Sequence, residues 1–270
     1  MIRFDNIDVI LGGLGVLADS ASISSSNNLQ NFYSIGNYES IIAPNGPVVH
    51  DITIDYTLKL KDQSLFAYLS EIKQNTSGIG GIRFEIGGLY GNGYVTSLKM
   101  SSSENSPISC SVSFSCFHGL SGTYESKRES VSYDKNRENI AHAWTTYFLT
   151  DTSLYPSTYE FSYDISVGWS PVYIIGSKMP YSVLLNEVEE SVSFVTDSYI
   201  PIDFSGANLV NRGILSDLPN SLQLNSLSYL WGPSSLSLAF DLREMQIKSI
   251  DSSFSTNDFG RFRVTAGRYY

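Results

Sequence analysis

Residues 108–116 read Ile108-Ser109-Cys110-Ser111-Val112-Ser113-Phe114-Ser115-Cys116. Apolar and serine positions alternate without a break. Successive side chains of a strand point to opposite faces, so a period of two places Ile108, Cys110, Val112, Phe114 and Cys116 together against a core. The serines then face the other way. The two cysteines sit about 20 Å apart along such a strand, at roughly 3.3 Å per residue, beyond disulfide reach. They read as small buried hydrophobes of a chain folded in a reducing compartment.

The same alternation recurs elsewhere. In residues 51–60, Ile52, Ile54, Tyr56, Leu58 and Leu60 share one face, and Thr53, Asp55, Thr57 and Lys59 share the other. Residues 191–198 and 234–241 also read as strands. The run Gly87-Gly88-Leu89-Tyr90-Gly91-Asn92-Gly93 lies between strand-like segments and predicts a hairpin loop. Helices are few. Asp62 can cap a segment with Leu65, Phe66, Leu69 and Ile72 in phase. A second helix is expected from about Ser205, with Leu209, Val210 and Ile214 in phase. A third is expected over residues 136–148, inside a charge-mixed connector spanning residues 121–158.

A repeat runs through this pattern. Val95-Thr96-Ser97-Leu98-Lys99-Met100 aligns with Ile247-Lys248-Ser249-Ile250-Asp251-Ser252, and Asn105 falls over Asn257. The next strand follows without a gap: Cys110 over Phe262, Val112 over Val264, Phe117 over Tyr269. Upstream, after one shift of register, Tyr33-Ser34-Ile35-Gly36 falls over Tyr173-Ile174-Ile175-Gly176, and residues 51–56 over 191–196. Each copy reads strand, strand, long strand, short helix, strand, strand, long strand.

Bulk composition bounds the rest. The chain has 270 residues, 42% hydrophobic and 16% charged, which is a folding composition. A chain this long buries a sizeable core. Its 18 Tyr and 14 Phe favour strands. The net charge of −10 argues against gripping nucleic acid by its phosphates. Arg3, Asp5 and Asp8 break any signal-peptide pattern. The apolar run over residues 9–18 is too short to span a bilayer. A soluble product without membrane insertion is expected.

Chemical motifs are missing where an enzyme would carry them. His50, His118 and His142 have no second His or Cys at metal spacing, and no Gly-x-Ser-x-Gly elbow occurs. Gly12-Gly13-Leu14-Gly15 opens no P-loop and reads as part of a flexible arm. The 87–93 run precedes no helix, so it is no dinucleotide fingerprint. Glu187, Glu189 and Glu190 read as a solvated acidic turn rather than a glycosidase pair or cation site. Trp169, Tyr173, Tyr229 and Trp231 read as core or interface packing rather than sugar platforms. Arg261, Arg263 and Arg268 are expected to alternate on the last strand and pair with acids of a neighbouring domain. No catalytic, cofactor-binding or metal-ligating residue is assigned, and no cofactor is expected.

The element order, with the closing hairpin from Val95-Thr96-Ser97-Leu98 to Ile108–Phe114, resembles the tail-tube fold of bacteriophages and related contractile injection systems. The resemblance covers residues 20–118 and 159–270. It implies a mainly β fold of two tandem tail-tube-like β-sandwich or barrel domains, each with one short flanking helix. The implied division is an N-terminal arm at 1–19, a first tube-like domain at 20–118, a connector with a helix at 119–158, and a second domain at 159–270. Long hairpins of neighbouring subunits would join into an inner barrel, with the 51–60 strand or its partners in its wall. Residues 1–26 would include the arm that grips adjacent subunits or rings. Tube proteins with one domain form hexamers, so two domains imply a homotrimer imitating a six-fold ring. The implied role is a non-enzymatic structural virion protein of the tail, as tube, baseplate hub or tube-end adaptor, assembled in the host cytoplasm. It would contact adjacent tail or baseplate rings, and DNA would pass through the channel without specific binding during ejection. A carbohydrate-binding β-sandwich module of a virion or cell-surface assembly is the alternative.

Overall fold

The structure is a computed structural model. It describes residues 9–27, 29–33, 40–44, 46–58, 64–74, 80–103, 106–123, 158–196, 221–226, 236–241, 246–255 and 258–270. The expected helices at 136–148 and from Ser205 lie outside these residues, as do His142, Tyr229 and Trp231.

The fold is mainly β, and every strand pairing among the described residues is antiparallel. In chain order the strands are β1 (Val9–Leu11), β2 (Leu14–Gly15), β3 (Leu17–Ser26), β4 (Leu29–Tyr33), β5 (Ser40–Pro44) and β6 (Val49–Thr57). Helix α1 (Ser64–Lys73) follows, then β7 (Ile82–Ile86), β8 (Leu89–Ser103) and β9 (Ser109–Cys116). The second half holds β10 (Thr158–Val172), β11 (Ser182–Thr196), β12 (Ser221–Ser226), β13 (Leu236–Asp241), β14 (Gln246–Ser255) and β15 (Asp258–Tyr269).

The principal sheet runs β3-β6-β9-β8-β10-β11-β15-β14. Strand β8 is long enough to serve two sheets. Its first residues form a hairpin with β7, which continues through β1 to β2. Its later residues pair with β9 on one side and β10 on the other. The smaller sheet folds over the larger, because Phe84 of β7 stacks on Phe114 of β9 with ring centroids 6.1 Å apart. Gly93 makes room for that bend: a Cβ there would lie 2.8 Å from Phe114 Cβ. The core between them is apolar and shut from water, with Ile52, Ile54, Phe84, Val95, Leu98 and Val112 at 0% exposure. Each such side chain contributes about 1.5–3 kcal/mol of transfer free energy.

The alternation in residues 108–116 carries through as read: β9 buries Cys110, Val112, Phe114 and Cys116 and turns its serines outward, and both thiols are free. Helix α1 buries Leu65, Leu69 and Ile72 of the expected stripe, together with Tyr68; Asp62 and the Phe66 side chain lie outside the described residues. Four expectations need correction. The hairpin loop at 87–93 is only the two-residue turn Gly87-Gly88, with φ of 56° and 88°. Positive φ at both positions suits the right-handed twist of the flanking strands, so Leu89 onward is already strand. The glycine-rich run near residue 12 is not a flexible arm. Gly12 and Gly13 turn the chain between β1 and β2, and Val9, Leu11 and Val16 are buried in the core. Residues 9–19 are therefore structural rather than arm-like, and residues 17–19 open β3. Residues 187–190 are no acidic turn but the middle of β11 (Ser182–Thr196), which begins nine residues before the alternating stretch read at 191–198. Arg268 faces the opposite side of the last strand from Arg261 and Arg263, by parity.

The two halves of the principal sheet share one plan. The first runs β3-β6-β9-β8 and the second β10-β11-β15-β14. In both, the first hairpin joins the last through its second strand. Their registers agree residue by residue. Ile54 pairs with Ala21 and Val112; Phe194 pairs with Phe161 and Val264. Irregularities fall at matching places, between Ala18 and Ser20 in β3 and between Thr158 and Glu160 in β10. Another pair lies between Val95 and Ser97 in β8 and between Ile247 and Ser249 in β14. Bulges are designed features of a strand pair, and sequence spacing alone would not place four of them in register.

Candidate functional site

The principal sheet buries one face. The other carries the outward residues of all eight strands, and hydroxyls dominate it. One row across the sheet reads Thr57, Ser109, Ser101, Ser162, Ser193, Thr265, Ser249. The next reads Ser20, Asp55, Ser111, Lys99, Asp164, Ser191, Gly267. This follows from the serine alternation of the sequence, extended over strands by register.

The acids of this face are held by neighbours rather than left to reach outward. Ser20 Oγ and Ser111 Oγ donate to the two carboxylate oxygens of Asp55, each at 2.6 Å. Those two hydrogen bonds, Ser111's first, hold the Asp55 carboxyl below its usual range. Ser115 Oγ donates to Asp51 at 2.8 Å. Arg263 pairs with Glu160 at 2.6 Å and Lys248 with Glu189 at 2.7 Å. These exposed ion pairs contribute little stability; their effect is to tie charge to the wall. Burial raises the carboxyl of Asp164, which Lys99 opposes in part.

A different cluster lies on the core side. Glu190 is fully buried, the only buried polar or charged side chain among the described residues. Tyr163 Oη donates to its Oε1 at 2.6 Å, and Lys73 bonds the same oxygen. Arg268 Nε and Tyr270 Oη donate to its Oε2 at 2.8 and 2.9 Å. Burial alone would raise this carboxyl; Lys73, by charge and by hydrogen bond, then Tyr163 and Arg268, bring it net below the ordinary value. Lys73 ends α1 in the first half, and the other partners belong to the second. The cluster thus joins the halves through a charge-paired seat.

Third, the sheet has two open ends. No described strand pairs with the outer edge of β3 or of β14. Both edges are long. Phe254 stands beside the β14 edge at 73% exposure, edge-on to Phe262. Apolar groups also stand out at the β10–β11 hairpin tip, where Ile174, Ile175, Met179 and Tyr181 are exposed.

The remaining sequence candidates disperse. His50 Nδ1 lies 2.7 Å from Ser25 Oγ, and no carboxylate among the described residues bonds its other ring nitrogen. His118 stacks on Tyr94. No group of three or more His, Cys, Asp or Glu among the described residues is placed to hold a metal ion. Trp169 packs against Tyr94 and donates Nε1–H to the Val95 carbonyl at 2.7 Å, where the β8 bulge frees an acceptor. Arg263 and Arg268 do pair with acids, but with those of β10 and β11 in their own half. Arg261 lies over the Tyr159 ring. Sequence reasoning missed the Glu190 seat, because its partners come from distant strands and one distant helix.

No family model matches the chain, and no curated protein matches it. Among solved structures it is similar to a chain from the virion of the native gene transfer agent particle. That likeness has 13% identity and a TM-score of 0.36, and covers 46% of this chain and 99% of that one. It is also similar to the Dit protein of SPP1, described as a paradigm of the hub adsorption apparatus in phages infecting Gram-positive hosts. Here identity is 7% and the TM-score 0.28, covering 98% of this chain and all (100%) of that one. At identities and scores this low, neither likeness bears on what the chain does.

Proposed function

We propose that this chain is a structural, non-enzymatic subunit of a phage-type tail, built from two tandem tube-like units and closing as a head-to-tail ring of chains around a channel. The observation that carries this is the junction between β8 and β10. There the last edge of one unit pairs with the first edge of the next, from Ser97↔Ser166 to Ser103↔Glu160. The same two kinds of edge stand open at the ends of the sheet as β14 and β3. Repeating the internal junction between chains gives a definite register: Ser26 beside Ser249, Ser24 beside Asp251, Ser22 beside Ser253, with Ala21 beside Phe254. A heterologous contact of this kind generates a ring when its rotation closes, and closure removes both open edges of the principal sheet. Three chains supply the six units that the tail-tube resemblance implies.

In such a ring the hydroxyl face lines the channel, because the opposite face carries the core. Its side chains are mostly short hydroxyls, and its acids are tied to serines and cations. With the chain's net charge of −10, this wall repels phosphates rather than binding them, which suits a duct for DNA. The test is negative-stain microscopy of the purified protein with light scattering. Rings with a central hole and the mass of three chains support the reading; a strict monomer at every concentration overturns it.

A further inference from the structure

The repeat also pairs up positions that the two halves use differently. Glu190 pairs with Arg268 across β11 and β15; the matching pair in the first half is His50 with Cys116, across β6 and β9. By the same registers Val188 matches Val48 and Tyr270 matches His118. In the second half this seat is closed: Val188 is 1% and Glu190 0% exposed, and α1 of the preceding unit delivers Lys73 to Glu190. In the first half it is open: Val48 is 40% exposed. Around it lies a cavity of about 720 Å³, lined by Val48, His50, Phe117 and His118 together with Tyr173 and Met179 of the β10–β11 tip.

The open seat has the chemistry of something left to be filled. Tyr173 Oη is buried without a hydrogen-bond partner among the described residues, and a buried polar group is stabilised by acquiring one. Phe117 and Met179 supply apolar wall. The His50 imidazole stands where the closed seat has the Glu190 carboxylate, and the His118 imidazole where it has the Tyr270 phenol, so a lone lysine is not the complement here. An apolar group with a hydrogen-bond acceptor or a carboxylate is.

We infer that this cavity is the docking seat for a second copy of this chain, whose second half enters it as the first half enters the Glu190 seat. The inference rests on the head-to-tail reading above and adds a second contact to the edge pairing. The closed seat within the chain is its template: Lys73 reaches it from the preceding unit, beside Tyr163 of β10, and the open seat has Asn27, which follows β3, on its rim. Each interchain junction then has a strand pairing and a filled seat, the combination that the internal junction already has.

The test uses the full chain. Val48→Trp fills the cavity without touching the β3 or β14 edge, and far-UV circular dichroism checks its fold. Its assembly midpoint should rise at least about tenfold over wild type, the equivalent of 1.4 kcal/mol. In parallel, diethyl pyrocarbonate labelling of wild type, read by mass spectrometry, should modify His118 in dispersed chains and spare it in rings. Rings of Val48→Trp at the wild-type midpoint, with His118 equally reactive in both states, would overturn the seat and leave the ring reading standing. Wild type that never forms rings overturns the ring reading and the seat with it.

Discussion

Replacing Glu190 by glutamine is the sharpest probe of how the two halves are held together. The change keeps size and shape but removes the negative charge that Lys73 and Arg268 share, their side chains being 21% and 15% exposed. Taking one partner from a buried ion pair costs about 3–5 kcal/mol, since the other charge is left uncompensated. Limited water access to both cations sets the cost near the lower end, at about 3 kcal/mol. The glutamine NH2 also faces at least one donor where a carboxylate oxygen accepted. For a chain of this size each kcal/mol moves Tm by about 2–4 °C, so Glu190→Gln should melt about 6–12 °C lower. Lys73→Met leaves Arg268 and both phenols on the carboxylate and should cost only about 1–2 kcal/mol. Acid adds a second arm. Glu190 titrates below the ordinary carboxyl value of 4.5 when folded. Its contribution is therefore present above that value and lost as pH falls through the depressed one. Wild-type stability should drop more steeply in that acid window than that of Glu190→Gln. Urea unfolding followed by aromatic fluorescence measures both arms. A loss under about 1 kcal/mol for Glu190→Gln at neutral pH, or parallel acid profiles, would refute the reasoning.

Three further outcomes are expected. Cysteines at Ser22 and Ser253 should be joined between chains by a short bifunctional thiol reagent, giving dimers and trimers on denaturing gels, because directly opposed Cβ atoms lie about 4.5–5.5 Å apart; equal yield from Ser22 with Ser249 would disprove the register. Gly122→Ala should lower stability by at least about 2 kcal/mol, since φ is +91° and the new Cβ would lie 2.2 Å from the Gly88 carbonyl oxygen; Gly119→Ala, at φ +79° in open space, should cost only about 1–2 kcal/mol, and thermal melts compare the two. Ser111→Ala should bring the Asp55 carboxyl back toward its ordinary 3.8, because that hydroxyl is the largest cause lowering it; carboxyl chemical shifts followed against pH detect the change, and an unmoved titration would remove the hydroxyl from its role.

What could be read from the sequence was what period and local chemistry encode. The serine alternation of β9 predicts both its buried cysteines and its hydroxyl face, since strand parity is a local property. The α1 stripe and the Gly-Gly turn are local in the same way. The repeat was legible because the two halves keep their apolar positions, and the aligned residues of β9 and β15 hold equivalent places in the ladders. Three features were not legible. The extents of β8 and β11 exceed any alternating window, because β8 turns from one sheet into another and β11 carries acids on both faces. Val9 and Leu11 looked like an arm because three glycines break the run, yet Gly12 and Gly13 are the turn that brings β2 back onto β1, and Gly15 is part of β2. Glu190 looked solvated because a carboxylate among carboxylates usually is; only distant partners, Lys73, Tyr163, Arg268 and Tyr270, reverse that inference.

The open edges bear on which kind of assembly these residues favour. Natural sheets blunt exposed edges with lysine, proline or short strands. Strand β3 reads Leu-Ala-Asp-Ser-Ala-Ser-Ile-Ser-Ser-Ser over its ten residues, with no proline or lysine, so it is built to be paired. Two edges left open on one chain allow two solutions. An isologous dimer would pair β3 with β3 or β14 with β14 and leave the other edge bare, or extend without end through both. A heterologous contact pairs β14 with β3 and satisfies both edges at once. The β8–β10 junction already realises the heterologous contact within one chain, with Leu98 beside Ile165 on the core side and Lys99 beside Asp164 on the hydroxyl side. The corresponding interchain neighbours are Ile250 beside Ser25 and Asp251 beside Ser24, a weaker apolar match without the opposite charges. Edge pairing alone should therefore hold chains together less firmly than it holds the two halves. The difference must come from outside the ladder, where Phe254 and the open seat around His50 and His118 are the surfaces placed to supply it.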